Sequence, residues 1–178
     1  VLLAMGTQAQ ALAMAGRSVE ARKVLRDALA FPAQGPEARL SHAWLRLRDA
    51  ELDRHDGLHA QALAKADALR TDEVAARNGN IVALAHVSSA CALSAKGLTE
   101  RAQDHVDQAL AVRRAQANTL PWSIHTDAAR VAACRGRTDD AAAALRQAQA
   151  AGFADRSLLG EPDFAALRRD PALAALRP

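Results

Sequence analysis

Histidine and cysteine are the residues whose types and spacing could do chemistry. His55-Asp56-Gly57-Leu58-His59 sets two imidazoles four positions apart, a spacing that on one helix face would hold a divalent metal. Gly57 stands between them and reads as a turn, which splits the pair between two helices, so no metal site is expected. His42, His86, His105 and His125 are dispersed along the chain, and His86 and His125 fall at equivalent repeat positions, which suggests packing at helix junctions. Cys91 and Cys134 form no C-x-x-C pair and read as buried, reduced thiols, from which a cytoplasmic location follows. No glycine-rich phosphate loop, G-x-S-x-G elbow or kinase signature occurs. The acidic residues Asp139-Asp140, Asp163 and Asp170 suit helix starts. The expectation is a non-enzymatic chain with no catalytic residue, metal or cofactor.

The elements that would position these side chains are helices. Of 178 residues, 50% are hydrophobic but only 3% aromatic, with no tyrosine. Alanine and leucine dominate, and both lose little side-chain freedom in a helix. β-Branched residues are scattered, and no segment alternates as a strand would. The net charge of +3 leaves 23 basic residues against 20 acidic ones. Arginines are spread without a dense block, and the pairs Arg113-Arg114 and Arg168-Arg169 read as solvated helix surface, not as a nucleic-acid stripe. Apolar runs are interrupted by Lys96, Gly97 or Arg135 before reaching membrane-spanning length, and the start lacks secretory-signal features. Neither nucleic acid nor membrane is expected as a partner.

Gly16, Gly57, Gly97 and Gly136 fall 41, 40 and 39 residues apart. Alanine stands five residues after each, at Ala21, Ala62, Ala102 and Ala141, and seven before each, at Ala9, Ala50, Ala90 and Ala129. Glycine suits a helix end in the left-handed region, and small residues let paired helices approach. Ser18, Thr99 and Thr138 follow as expected N-caps, with acids in the next turn. Second helices are predicted near 18–31, 59–70, 99–116 and 138–151. One unit fits poorly: Asp53 stands where the others carry Leu12, Leu93 and Ala132.

This pattern resembles the tetratricopeptide repeat: a small residue in the first helix, glycine at the turn, and alanine early in the second helix. The matches are Ala9, Gly16, Ala21 and Ala28; Ala50, Gly57, Ala62 and Leu69; Ala90, Gly97, Ala102 and Ala109; Ala129, Gly136, Ala141 and Ala148. The period of about 40 exceeds the family's roughly 34 residues, and the large aromatics usual at the family's first-helix positions are missing. The resemblance implies an all-α, right-handed solenoid of about four antiparallel helix pairs, with units near 1–33, 37–72, 78–117 and 120–152. It implies a partner-binding groove lined by first-helix residues: Gln10, Ala13 and Met14; Trp44, Glu51 and Arg54; Leu84, Val87 and Cys91; Ser123, Thr126 and Arg130. No lysine or asparagine cluster suited to gripping a terminal carboxylate stands among them.

Residues 153–178 do not make another unit. Glu161-Pro162-Asp163-Phe164-Ala165-Ala166-Leu167 and Asp170-Pro171-Ala172-Leu173-Ala174-Ala175-Leu176 read as two short proline-started helices that cap the stack. Phe164, Leu167, Leu173 and Leu176 should cover Leu145 and Ala148. The segment is similar to the closing part of tetratricopeptide arrays in bacterial kinases and cyclases, which makes it the expected C-terminus. Val1–Ala15 reads as a helix without an N-cap, as at a cut edge of a larger regulator. The expected function is a scaffold binding a peptide or partner protein. The alternative is an intramolecular regulatory region docking on an attached kinase, cyclase or DNA-binding domain.

Overall fold

All four aligned glycines end a helix in the left-handed region, with φ of 74° at Gly16, 78° at Gly57, 73° at Gly97 and 71° at Gly136. Space around each is open, so backbone conformation and not crowding selects glycine there. The residue after each glycine donates its N–H back five residues: Arg17 to Leu12 O at 2.9 Å, Leu58 to Asp53 O at 2.8 Å, Leu98 to Leu93 O at 3.0 Å and Arg137 to Ala132 O at 2.9 Å. This is the Schellman closure, which satisfies carbonyls that a helix end would otherwise leave bare.

The computed structural model describes residues 1–176 and is all-helical, with no strand among them. The turns fold α1 (Leu2–Met14) on α2 (Ser18–Leu29) and α3 (Gly35–His55) on α4 (His59–Thr71). A single turn, α5 (Glu73–Ala76), precedes α6 (Gly79–Ala95), which packs on α7 (Thr99–Ala115). Last, α8 (Ser123–Cys134) packs on α9 (Thr138–Ala150), and three short 3-10 segments come after it at Leu158–Gly160, Pro162–Leu167 and Pro171–Leu176. The first helices also meet one another, α1 with α3, α3 with α6 and α6 with α8.

The expected caps need correction. Ser18, Thr99 and Thr138 are the first helical residues, while Arg17, Leu98 and Arg137 hold the cap positions and make no side-chain cap bond. The Schellman turn is so short that the residue after glycine must serve both as its closing donor and as the next helix's cap. Ser18 instead donates its hydroxyl to Asp56 at 2.8 Å. Side-chain capping is found instead on either side of α5, away from the glycine turns. Asp72 accepts from the Val74 and Ala75 amides at 3.0 and 2.9 Å, starting the unforeseen α5. Asn78 accepts from the Ile81 amide at 3.2 Å and starts α6.

All eight repeat alanines are buried, and Ala9 with Ala21, like Ala129 with Ala141, share a core cluster. Asp53, the outlier of the repeat, is fully buried at 0% exposure. Its carboxylate receives Arg22 of α2 on one oxygen and Lys65 Nζ of α4 at 2.5 Å on the other. A salt link across three helices therefore replaces a leucine contact at this register. Arg22 also holds Asp56 at 2.7 Å and Lys65 holds Asp49 at 2.5 Å, so both cations keep partners if Asp53 is removed. Asp53→Leu should then be near neutral in urea denaturation. Arg22→Met with Lys65→Met, which strands the buried carboxylate, should cost about 3–5 kcal/mol.

The tail packs on the last helix pair, α8 and α9. Phe164, Leu167, Leu173 and Leu176 join Leu145 and Ala148 in one buried cluster, together with Phe153, Leu158 and Leu159. Asp163 was expected to cap a helix; its carboxylate instead turns away to Arg54, 109 residues earlier.

Candidate binding site

Between α1, α3, α6, α8 and the tail lies a chamber of about 320 Å³. First helices supply about half of its walls: Gln10 from α1, Trp44 and Arg48 from α3, Asn80 and Leu84 from α6, and Ser123, Thr126, Asp127 and Arg130 from α8. Arg113 of α7 enters from behind, and Trp122, Phe153, Leu158 and Glu161 close the far side. Both tryptophans of the chain are therefore here, half-buried. Trp122 leans on Phe153 with ring centroids 5.0 Å apart, which holds its indole against the chamber.

The arginines of the chamber are already matched. Arg113 Nε donates to Asp127 Oδ2 at 2.7 Å, both residues being buried, and Arg113 also reaches the Asn80 side-chain oxygen. Sequence reading placed Arg113 on a solvated surface with Arg114. Burial results because the last turn of α7 packs beside α8, whose second turn supplies Asp127 as the counter-charge. Arg130 Nε and Nη2 donate to both oxygens of Glu161 at 3.0–3.1 Å. Burial alone would lower the Arg130 pKa, but Glu161 and Glu51 hold it above its ordinary value.

Beyond Glu161 the same face is filled. Arg54 donates from two nitrogens to the two oxygens of Asp163 at 2.6 Å each, with side-chain exposures of 9% and 6%. His55 Nε2 lies 2.7 Å from an Arg54 nitrogen and 3.3 Å from Asp163 Oδ2. Burial would raise the Asp163 pKa, but the His55 ring and the Arg54 guanidinium overcome it and hold the carboxyl well below the usual carboxylate range. Arg48 pairs with Glu51 at 2.7 Å, and Glu51 is held below its ordinary value against burial by Arg48 and Arg130. Only about 40 Å³ of space remains between the tail, α1 and α3.

Of the groove residues expected from the resemblance, Gln10, Trp44, Leu84, Ser123, Thr126 and Arg130 line the open chamber. Ala13, Met14, Glu51 and Arg54 lie on the part occupied by the tail. Val87 and Cys91 are not on the groove. Val87 is buried with Ala90, Ala109 and Val131, because the first helix of this unit is wedged between α4, α7 and α8 and shows almost no free face. Cys91 is bonded to Cys134, with Cα atoms 5.5 Å apart, joining α6 to α8. The reading of two reduced thiols is thus overturned: helices from neighbouring repeats bring together cysteines that are 43 positions apart in the chain. The thiol argument for a cytoplasmic location falls with it, since lasting disulfides belong mainly to oxidising compartments.

The turn at Gly57 separates His55, at the end of α3, from His59, at the start of α4. His86 meets His105 across the α6–α7 contact, Nδ1 to Nδ1 at 2.9 Å, and burial, Arg70 and His105 push its pKa down to about 4. Among the described residues no group of three or more His, Cys, Asp or Glu could hold a metal. No described helix is long and apolar enough to cross a membrane. No family model, curated protein or solved structure matches the chain.

Arg48, Asn80, Arg113, Trp122, Asp127, Glu161 and Asp163 were missed as site residues. Trp122 carried a usable signal, a lone aromatic just before a first helix in an aromatic-poor chain. The paired charges carried none, since each is an ordinary helix-surface residue until its partner is known.

Proposed function

We propose that this chain is a tetratricopeptide-like interaction array, a right-handed stack of four helix pairs whose first-helix face binds an extended segment of a partner protein. The observation that carries this is the chamber's composition. All four first helices contribute to it, its size falls at the low end of pockets that hold side chains or small ligands, and its walls combine two indoles with hydrogen-bonding groups. Its buried arginines are paired, so what it offers is aromatic surface together with Gln10, Ser123 and Thr126. That combination suits a peptide presenting one apolar side chain and its backbone amides. Leu120, 52% exposed at the rim, extends the apolar surface outward. We read the chain as non-enzymatic, because the chamber's arginines, Asp127 and Glu161 are engaged in ion pairs and not poised beside a nucleophile.

Peptides selected from a random display library on the full chain should shift the tryptophan emission, because both indoles face the chamber. Leu84→Arg, which puts a long cation into it, should weaken them at least tenfold. Failure to enrich any peptide, or binding that ignores both the indoles and Leu84→Arg, rejects the chamber as the site.

A further inference from the structure

The second half of the first-helix face is occupied by the chain itself. We propose that Glu161-Pro162-Asp163 sits there as a built-in ligand, and that a partner with an acidic segment of the same spacing, two carboxylates flanking one residue, competes with it for Arg54 and Arg130. This rests on the reading of that face as an interaction surface.

Charge accounts for the fit. Within this half, the helices bring three guanidiniums, Arg48, Arg54 and Arg130, but only one carboxylate, Glu51. Two positive charges are left over. The tail supplies two carboxylates, one to each remaining arginine, and both are gripped by two guanidinium nitrogens. Paired two-point contacts of this kind are geometrically selective for carboxylate. The two arginines stand on different helices, α3 and α8, so a ligand must span them, and Pro162 fixes the spacing between the two acids.

The segment is shaped as a bound peptide. Glu161 is extended, with φ −63° and ψ 144°, and the ring of Pro162 stiffens the chain between the two acids. Gly160 passes directly under Met14 of α1, where a Cβ would come within 2.2 Å of the methionine methyl. Arg168 clamps the approach by donating to the Leu159 and Gly160 carbonyls at 3.0 Å each. Leu158 and Leu159 on one side and Phe164 and Leu167 on the other are buried in the end cluster, so the tail holds its acids at high local concentration. A free acidic peptide meets an occupied site until the tail's charges are removed or its anchors give way.

The probe is a fluorescent peptide with the sequence of residues 158–164, and its control carries Gln and Asn for the Glu and Asp. Titrated into the full chain, the acidic peptide should bind at least tenfold more tightly to the Glu161→Gln/Asp163→Asn variant than to the parent. The control peptide should not bind, and added salt should weaken the complex. Saturating acidic peptide should also speed amide hydrogen exchange of residues 158–167 in the unmodified chain, a measurement that needs no variant to fold. A folded variant that ignores the peptide, equal binding to parent and variant, or unchanged exchange at saturation would each make the segment a fixed strut and overturn the proposal. If peptides selected at the tryptophan chamber still bind in that case, the interaction reading stands and only the built-in ligand is lost.

Discussion

Reducing the Cys91–Cys134 disulfide should lower the melting temperature by about 10 °C. The bond closes a loop of 43 positions, and the loop entropy it removes from the unfolded chain corresponds to roughly 4 kcal/mol. For a chain of this length each kcal/mol moves the melt by roughly 2–4 °C. The effect lies mainly in the unfolded state, because α6 and α8 already touch through the stack. A thermal scan with and without dithiothreitol checks it, and the Cys91→Ala/Cys134→Ala variant should melt low and be indifferent to the reductant. If the parent melts unchanged on reduction, the two sulfurs are not bonded in solution.

Phe164→Ala should cost about 3–5 kcal/mol, again about 10 °C in the melt. Phe164 is completely buried, and it ties the tail to Leu145 and Ala148, so its removal leaves a cavity that rigid helices on one side cannot collapse to fill. Deleting residues 157–178 goes further. It uncovers the apolar face of the last helices and leaves Arg54 and Arg130 without Asp163 and Glu161. The shortened chain should melt lower and self-associate in sedimentation or light scattering, since an exposed apolar face of that size invites pairing. A shortened chain that stays monomeric with an unchanged melt would show that the tail adds nothing to the stack.

Helices and their turns were legible in the residues alone. Glycine at a left-handed helix end and alanine at a close crossing are local demands, so they repeat at readable intervals, and the second helices at Ser18–Leu29, His59–Thr71, Thr99–Ala115 and Thr138–Ala150 lie within two residues of expectation. The tail's apolar residues were legible for a similar reason: each comes after its proline at fixed spacing. Side-chain caps were misassigned because Ser18, Thr99 and Thr138 are one residue too late for a turn whose closing amide is also the cap. Which distant residues meet was decided by the packing of one helix pair on the next. Cys91 finds Cys134, Arg54 finds Asp163, Arg130 finds Glu161, and Asp53 becomes a buried link between α2 and α4. Each of these contacts depends on how far one helix pair is rotated over its neighbour. That rotation is set by contacts summed over many small side chains, and no single residue in the repeat carries it.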